Sequence, residues 1–217
     1  MQPQPKFHFA PEEYLALERQ AATKSEYWNG QVYALAGASR AHVLIVTNLV
    51  AGLGVQSRGR PCEVYASDMR VKVSAAGLYT YPDVVVVCGK PRFEDRHRDT
   101  LLNPTVLIEV LSPSTETYDR GTKFAFYRNL ESLTDYLVVA QDSPQVEHYA
   151  RQPDDKWLLT DHKGLDAVAQ VASIHCTLSL ADVYDKIDWS EVEPEVVTLR
   201  VLRERALEYG PRPGDSI

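Results

Sequence analysis

The chain has 217 residues, 44% apolar and 24% charged, proportions that suit one well-packed globular domain with a full core. No run approaches the roughly 18 consecutive apolar residues of a membrane helix, and Met1 to Phe9 does not read as a signal peptide. A formal charge of −7 argues against constitutive coating of nucleic acid, which is driven by phosphate neutralisation, although Arg40, Arg58, Arg60, Arg70 and Lys72 leave one stretch locally basic.

An opening helix is expected from Pro11-Glu12-Glu13-Tyr14-Leu15, with proline and acids in the first turn where the helix dipole favours them. Ser25–Trp28 and Gln31–Ala34 flank Asn29-Gly30, the dipeptide suited to a type I′ hairpin turn. From about Ser39 to Gln56, Val43, Val46, Val50 and Leu53 recur at helical spacing with Leu49 beside them, and Ser39 is placed to cap. Three strands follow, at Cys62–Val73, Asp83–Cys88 and Thr105–Leu111, with Gly89–Asn103 polar enough for an exposed loop or short surface helix. Asp119–Leu130 reads as a helix and Tyr136–Ala140 as another apolar strand. Gln145–Ala150 and Lys156–Thr160 then read as a hairpin extending the sheet. One domain over 1–187 is expected, with 188–217 a charged tail that holds an amphipathic helix near Val196–Tyr209. Cys62, Cys88 and Cys176 are far apart and odd in number, so neither a disulfide framework nor a CxxC metal site is expected, and a reducing cytoplasm is the expected setting.

Chemistry concentrates in two of the strands. Tyr81-Pro82-Asp83-Val84-Val85-Val86-Val87 and Thr105-Val106-Leu107-Ile108-Glu109-Val110-Leu111 each carry one carboxylate in an apolar β-run, where an acid is costly unless it is paired or bound to a metal. Two such acids on neighbouring strands would make an anionic notch for Mg²⁺. On the next helix Arg120, Lys123 and Tyr127 fall on one face.

The order helix, three strands, helix, strand, with Pro82-Asp83 and Glu109 so placed, resembles the PD-(D/E)XK nuclease superfamily. That pattern puts lysine two residues after the second acid, where this chain has Leu111. Glu109-Val110-Leu111-Ser112-Pro113-Ser114-Thr115 with Asp119, Lys123 and Tyr127, and upstream Glu26-Tyr27-Trp28-Asn29-Gly30, is similar to the Uma-two family of restriction-endonuclease-like proteins, in which the lysine has migrated to the helix. The resemblance spans Phe9 to Tyr184. It implies an α/β fold with a restriction-endonuclease-like core, an N-terminal helix-hairpin and a C-terminal β-hairpin extension.

It also implies a metal-dependent endonuclease that hydrolyses DNA. Asp83, Glu109 and the Val110 carbonyl would hold Mg²⁺, with Mn²⁺ as a substitute, while Lys123 would orient or help deprotonate the attacking water or stabilise phosphate charge. Glu26 would be a further carboxylate of the site. Each residue has a structural alternative: Asp83 as a strand-opening cap, Glu26 as an edge-strand charge, Lys123 as a solvated helix lysine. Asp68 is expected to pair with Arg70 or a neighbour, His42 to be a packed or surface residue, and Ser112 and Ser114 to serve turns or caps. The functional alternative is a catalytically silent scaffold that binds nucleic acid or protein. A homodimer is expected for an enzyme that cuts both strands, through the N-terminal hairpin or the tail.

Overall fold

The long central helix decides how the two-faced sheet beneath it is covered. In the computed structural model, which describes residues 8–35, 37–112 and 115–190, α1 (Pro11–Glu18) opens with the Ala10 N–H donating to Glu13 Oε2 at 2.8 Å. The strands β1 (Ser25–Trp28) and β2 (Gln31–Ala34) form the expected hairpin, with Asn29 and Gly30 at φ of 45° and 87° in the turn. Next, α2 (Arg40–Gln56) begins where the Ser39 hydroxyl accepts the His42 N–H at 3.1 Å. Its buried stripe is Ile45, Leu49 and Leu53, all at 0% exposure, whereas Val43 faces solvent at 52%. Of the expected face, Leu53 and the adjoining Leu49 are buried and Val46 and Val50 pack partly against the core, while Val43 turns to solvent and Ile45 takes its place.

After α2 come β3 (Cys62–Ala66), β4 (Arg70–Val73), β5 (Leu78–Thr80), β6 (Val84–Cys88), β7 (Thr100–Leu101), β8 (Val106–Val110), β9 (Asp135–Val139), β10 (Gln145–Arg151) and β11 (Trp157–Lys163). The central sheet has the order β11-β10-β9-β8-β6-β3, antiparallel from β3 to β6 to β8 and parallel from β8 to β9. A second sheet runs β2-β1-β5-β4-β7. Alternation along the central strands sends Val84, Val86, Val106 and Ile108 to α2 and to a cover of β12 (Val168–Val171), β13 (Cys176–Ser179) and α5 (Leu180–Val183). Val85, Val87, Leu107 and Val138 point the other way, against Val71, Val73 and Leu78 of the second sheet and Tyr127 of the helical segment. Both faces are covered, which is why β6 and β8 are apolar without interruption except at Glu109.

That helical segment comprises α3 (Glu116–Tyr118), a π-turn over Asp119–Lys123 and α4 (Phe124–Tyr127). It starts earlier than Asp119 and is not regular. Other expectations also change. The single strand expected over Cys62–Val73 breaks after Ala66, so β3 stays in the central sheet while β4 enters the second one. The polar stretch Gly89–Asn103 includes β7, parallel to β4. Cys62 and Cys88 are register partners across β3 and β6, with Cα atoms 4.0 Å apart, and are joined by a disulfide. The expectation of unpaired thiols is overturned, and with it the argument that cysteine usage implies a reducing compartment. Strand register, which spacing in the chain does not reveal, made the pair. Asp68 pairs with Lys24 at 3.0 Å, while Arg70 pairs with Asp99. The hairpin of β10 and β11 extends the central sheet as expected. Ser114 and the tail helix expected near Val196–Tyr209 lie outside the described residues. No helix among the described residues is long and apolar enough to cross a membrane.

Candidate active site

Antiparallel pairing of Val84 with Ile108 continues one step to set Asp83, just before β6, opposite Glu109 in β8. The Val110 N–H donates to Asp83 Oδ2 at 2.8 Å, tying the first acid to the strand that carries the second. Glu109 lies on the Leu107 face, toward the second sheet and the π-turn. There the Tyr127 hydroxyl donates to Glu109 Oε1 at 2.7 Å and Lys123 Nζ stands 2.9 Å from the same oxygen.

Lys123 gathers two further acids, Glu26 Oε1 and Asp119 Oδ1, each at 3.4 Å. Glu26 comes from β1, which is paired on both sides by β2 and β5, so it is an interior residue rather than an edge-strand charge. The Thr80 hydroxyl of β5 donates to the same Glu26 oxygen. Asp119 and Lys123 sit four residues apart in the π-turn, a helical irregularity often found at functional sites, and the Tyr136 hydroxyl holds the Asp119 carbonyl at 3.0 Å. The turn does not bring Arg120 inward; Arg120 pairs with Glu116 and Glu147 instead.

The electrostatics follow from burial. Glu109 is pushed up to about 8 by desolvation, with the nearby Asp119 and Asp83 charges adding to the rise and Lys123 opposing it. Burial also raises Asp119, against the pull of Lys123. Desolvation works against the Lys123 ammonium, but Glu109, Glu26 and Asp119 outweigh it and hold the amine charged well above its ordinary range. Lys123 is thus a fixed cation among buried acids.

One consequence is measurable without activity. Glu109 in the fold keeps its proton to about pH 8, whereas the unfolded chain releases it near 4.5. The penalty is absent below the lower value, grows as pH rises between the two, and is complete above the upper one, at up to about 1.4 kcal/mol per pH unit. In EDTA, urea unfolding of the wild type should therefore lose stability from pH 5 to 8 relative to Glu109→Gln. Parallel curves for the two proteins would contradict the buried-acid assignment.

At the Asp83 end, His42 Nε2 lies 3.2 Å from Asp83 Oδ2. Burial alone would lower the His42 pKa; the Asp83 contact and the Val110 carbonyl reverse that and raise it. The expectation that His42 is merely packed or on the surface is therefore corrected, since it is the partner of a site acid. Nothing in its sequence neighbourhood signals this. Asp119 stands in the sequence only as part of the family motif, and its place in the cluster depends on the π-turn. Asp83 and His42 form the open edge, with side chains 15% and 14% exposed, while Glu109 and Asp119 are at 4%.

Among the described residues no three His, Cys, Asp or Glu side chains already converge as a metal cage. The donor chemistry nonetheless fits a hard divalent cation. Asp83, Glu109 and the Val110 carbonyl are oxygen donors carried by adjoining strands, and Glu109 is a buried acid whose ionisation a cation would favour.

A three-strand antiparallel run, a helix bearing lysine and a fourth strand parallel to the third define a restriction-endonuclease-like fold. The profile of the Uma2 family, described as "Putative restriction endonuclease", matches residues 11–182, well over half of the chain. The chain belongs to the Uma2 family. Two relatives from Synechocystis sp. are similar to it: the protein sll1609, 39% identical over 155 residues (71% of this chain and 88% of that protein), and slr1290, 36% identical over 175 residues (81% and 90%). A solved structure from Anabaena variabilis, titled a putative nuclease belonging to DUF820, superposes with a TM-score of 0.63 at 19% identity, covering 80% of this chain and 96% of that one. Its likeness is one of fold.

Proposed function

We propose that the protein is a metal-dependent endonuclease that hydrolyses DNA phosphodiester bonds, with Asp83, Glu109, Lys123 and Glu26 as its catalytic set. The observation that carries this reading is the approach of one amine, Lys123, to three acids drawn from β1, β8 and the π-turn, beside Asp83. A structural ion pair needs one carboxylate; a surplus of buried acids is expensive and calls for a cationic ligand. Mg²⁺, or Mn²⁺ in its place, held by Asp83, Glu109 and the Val110 carbonyl, would supply the positive charge that phosphoryl oxygens and an attacking water require.

The chain's own residues do the rest. Lys123, fixed as a cation, donates a hydrogen bond and places positive charge beside the phosphoryl group; it is not a general base. Glu26 aims the amine, and Thr80 fixes Glu26. Tyr127 fixes the rotamer of Glu109. DNA approaches from the Asp83–His42 edge.

Purified protein should convert supercoiled plasmid to nicked and linear forms with Mg²⁺ or Mn²⁺ and not in EDTA. The second reading, a silent scaffold that binds nucleic acid or protein, is favoured by the 4% exposure of Glu109. It predicts a mobility shift of DNA without cleavage in either metal, an outcome that would defeat the enzymatic reading. A two-fold homodimer, through the hairpin that exposes Val32 at 40% and Tyr33 at 49%, belongs to the same proposal. The cytoplasm stays the expected setting on the substrate's account alone.

A further inference from the structure

We infer that His42 is a metal-ligating residue of this centre, so that the site takes a divalent ion that accepts nitrogen as well as oxygen, with Mn²⁺ preferred to Mg²⁺. The inference rests on the metal-dependent reading above and names a donor outside the acid-and-carbonyl set. His42 Nε2 is 3.2 Å from Asp83 Oδ2. The imidazole therefore stands directly against a carboxylate assigned to the ion at the open edge. Two donors each about 2.1 Å from an octahedral ion and at right angles to each other stand about 3.0 Å apart. The observed separation is close to such an octahedral edge.

The position is rigid. His42 lies in the first turn of α2, its N–H held by the Ser39 cap, and the next turns anchor Ile45 and Leu49 at 0% exposure on the sheet. Ligation uses the Nε2 lone pair of the neutral ring with its proton on Nδ1, so the Nε2 hydrogen shared with Asp83 is given up when the ion binds. Lys123 lies on the Glu109 side and does not contest this position. A carboxylate and a carbonyl suit Mg²⁺ and Mn²⁺ alike, whereas imidazole adds affinity for Mn²⁺ and later first-row ions.

Titration calorimetry of the full chain with MnCl₂ and with MgCl₂, for wild type, His42→Gln and Asp83→Ala, provides the test. Wild type should bind Mn²⁺ more tightly than Mg²⁺. His42→Gln should weaken Mn²⁺ by on the order of ten-fold or more while Mg²⁺ binding changes far less. Electron spin echo modulation of bound Mn²⁺ should carry a nitrogen signature in wild type that is absent from His42→Gln. If Mn²⁺ binds, is lost in Asp83→Ala, but shows no nitrogen signature, His42 is only a hydrogen-bonding cap on Asp83 and the inference fails by itself. Failure of the wild type to bind either ion would overturn the metal-dependent reading as well. The wild-type spectrum decides even if His42→Gln does not fold.

Discussion

Lys123→Met is expected to lower DNA cleavage by about 10²- to 10³-fold, the size of effect seen when one preorganised charge donor at a transition state is removed. The amine is 2.9 Å from Glu109 and 3.4 Å from both Glu26 and Asp119, so methionine fills the volume but leaves these acids without their cation. Breaking a buried pair from one side costs about 3–5 kcal/mol. Here the cost depends on pH. With the ammonium gone, the folded-state pKa values of Glu109 and Asp119 rise further above those of the unfolded chain, so the variant's deficit should be smallest near pH 4, where the unfolded chain also begins to take up protons, and should grow as pH rises toward 8. Urea unfolding across that range, beside cleavage assays at a temperature where both proteins are folded, separates the catalytic loss from the structural one. A variant that cuts at the wild-type rate would place the active centre elsewhere.

Asp83→Ala should abolish the response to divalent ions. At a metal concentration about 100 times the dissociation constant, binding to the folded state alone adds about 2.7 kcal/mol. For a domain of this size that is a rise in Tm of about 5–10 °C. Without Asp83 the open edge loses a carboxylate, the Val110 N–H loses its acceptor at 2.8 Å and His42 loses its partner, so the rise should vanish and cleavage with it. Differential scanning fluorimetry with Mg²⁺ and Mn²⁺ reads this directly. An undiminished shift in Asp83→Ala would mean that the ion binds elsewhere, and unchanged cleavage would point to a different centre or a contaminant.

Glu109 was legible in the chain because a lone acid between Ile108 and Val110 contradicts the apolar run around it, and such a contradiction in a doubly covered strand needs a partner. Asp83 was legible by its place at the head of the next such run. Lys123 required the family resemblance, since Leu111 stands where a strand lysine is otherwise expected. The Asn29-Gly30 hairpin, the long α2 and the sheet extension were readable because each depends on contacts within a few residues. The division of Cys62–Val73 between two sheets, the Cys62–Cys88 bond and β12–β13 were not, because each is decided by pairing between distant segments.

Local chemistry in the chain thus determined which residues are acids in apolar strands, where the helices and turns begin, and the family to which these motifs belong. Tertiary structure alone decided what meets what. It put Glu26 inside a second sheet instead of on an edge, turned Asp119 and Lys123 inward through a π-turn while sending Arg120 out to Glu147, and set His42 against Asp83. Side-chain spacing specifies a face only relative to its own element. Which face is buried, and beside which charge, depends on how sheets and helix pack, and that packing turned scattered acids into one cluster around a single amine.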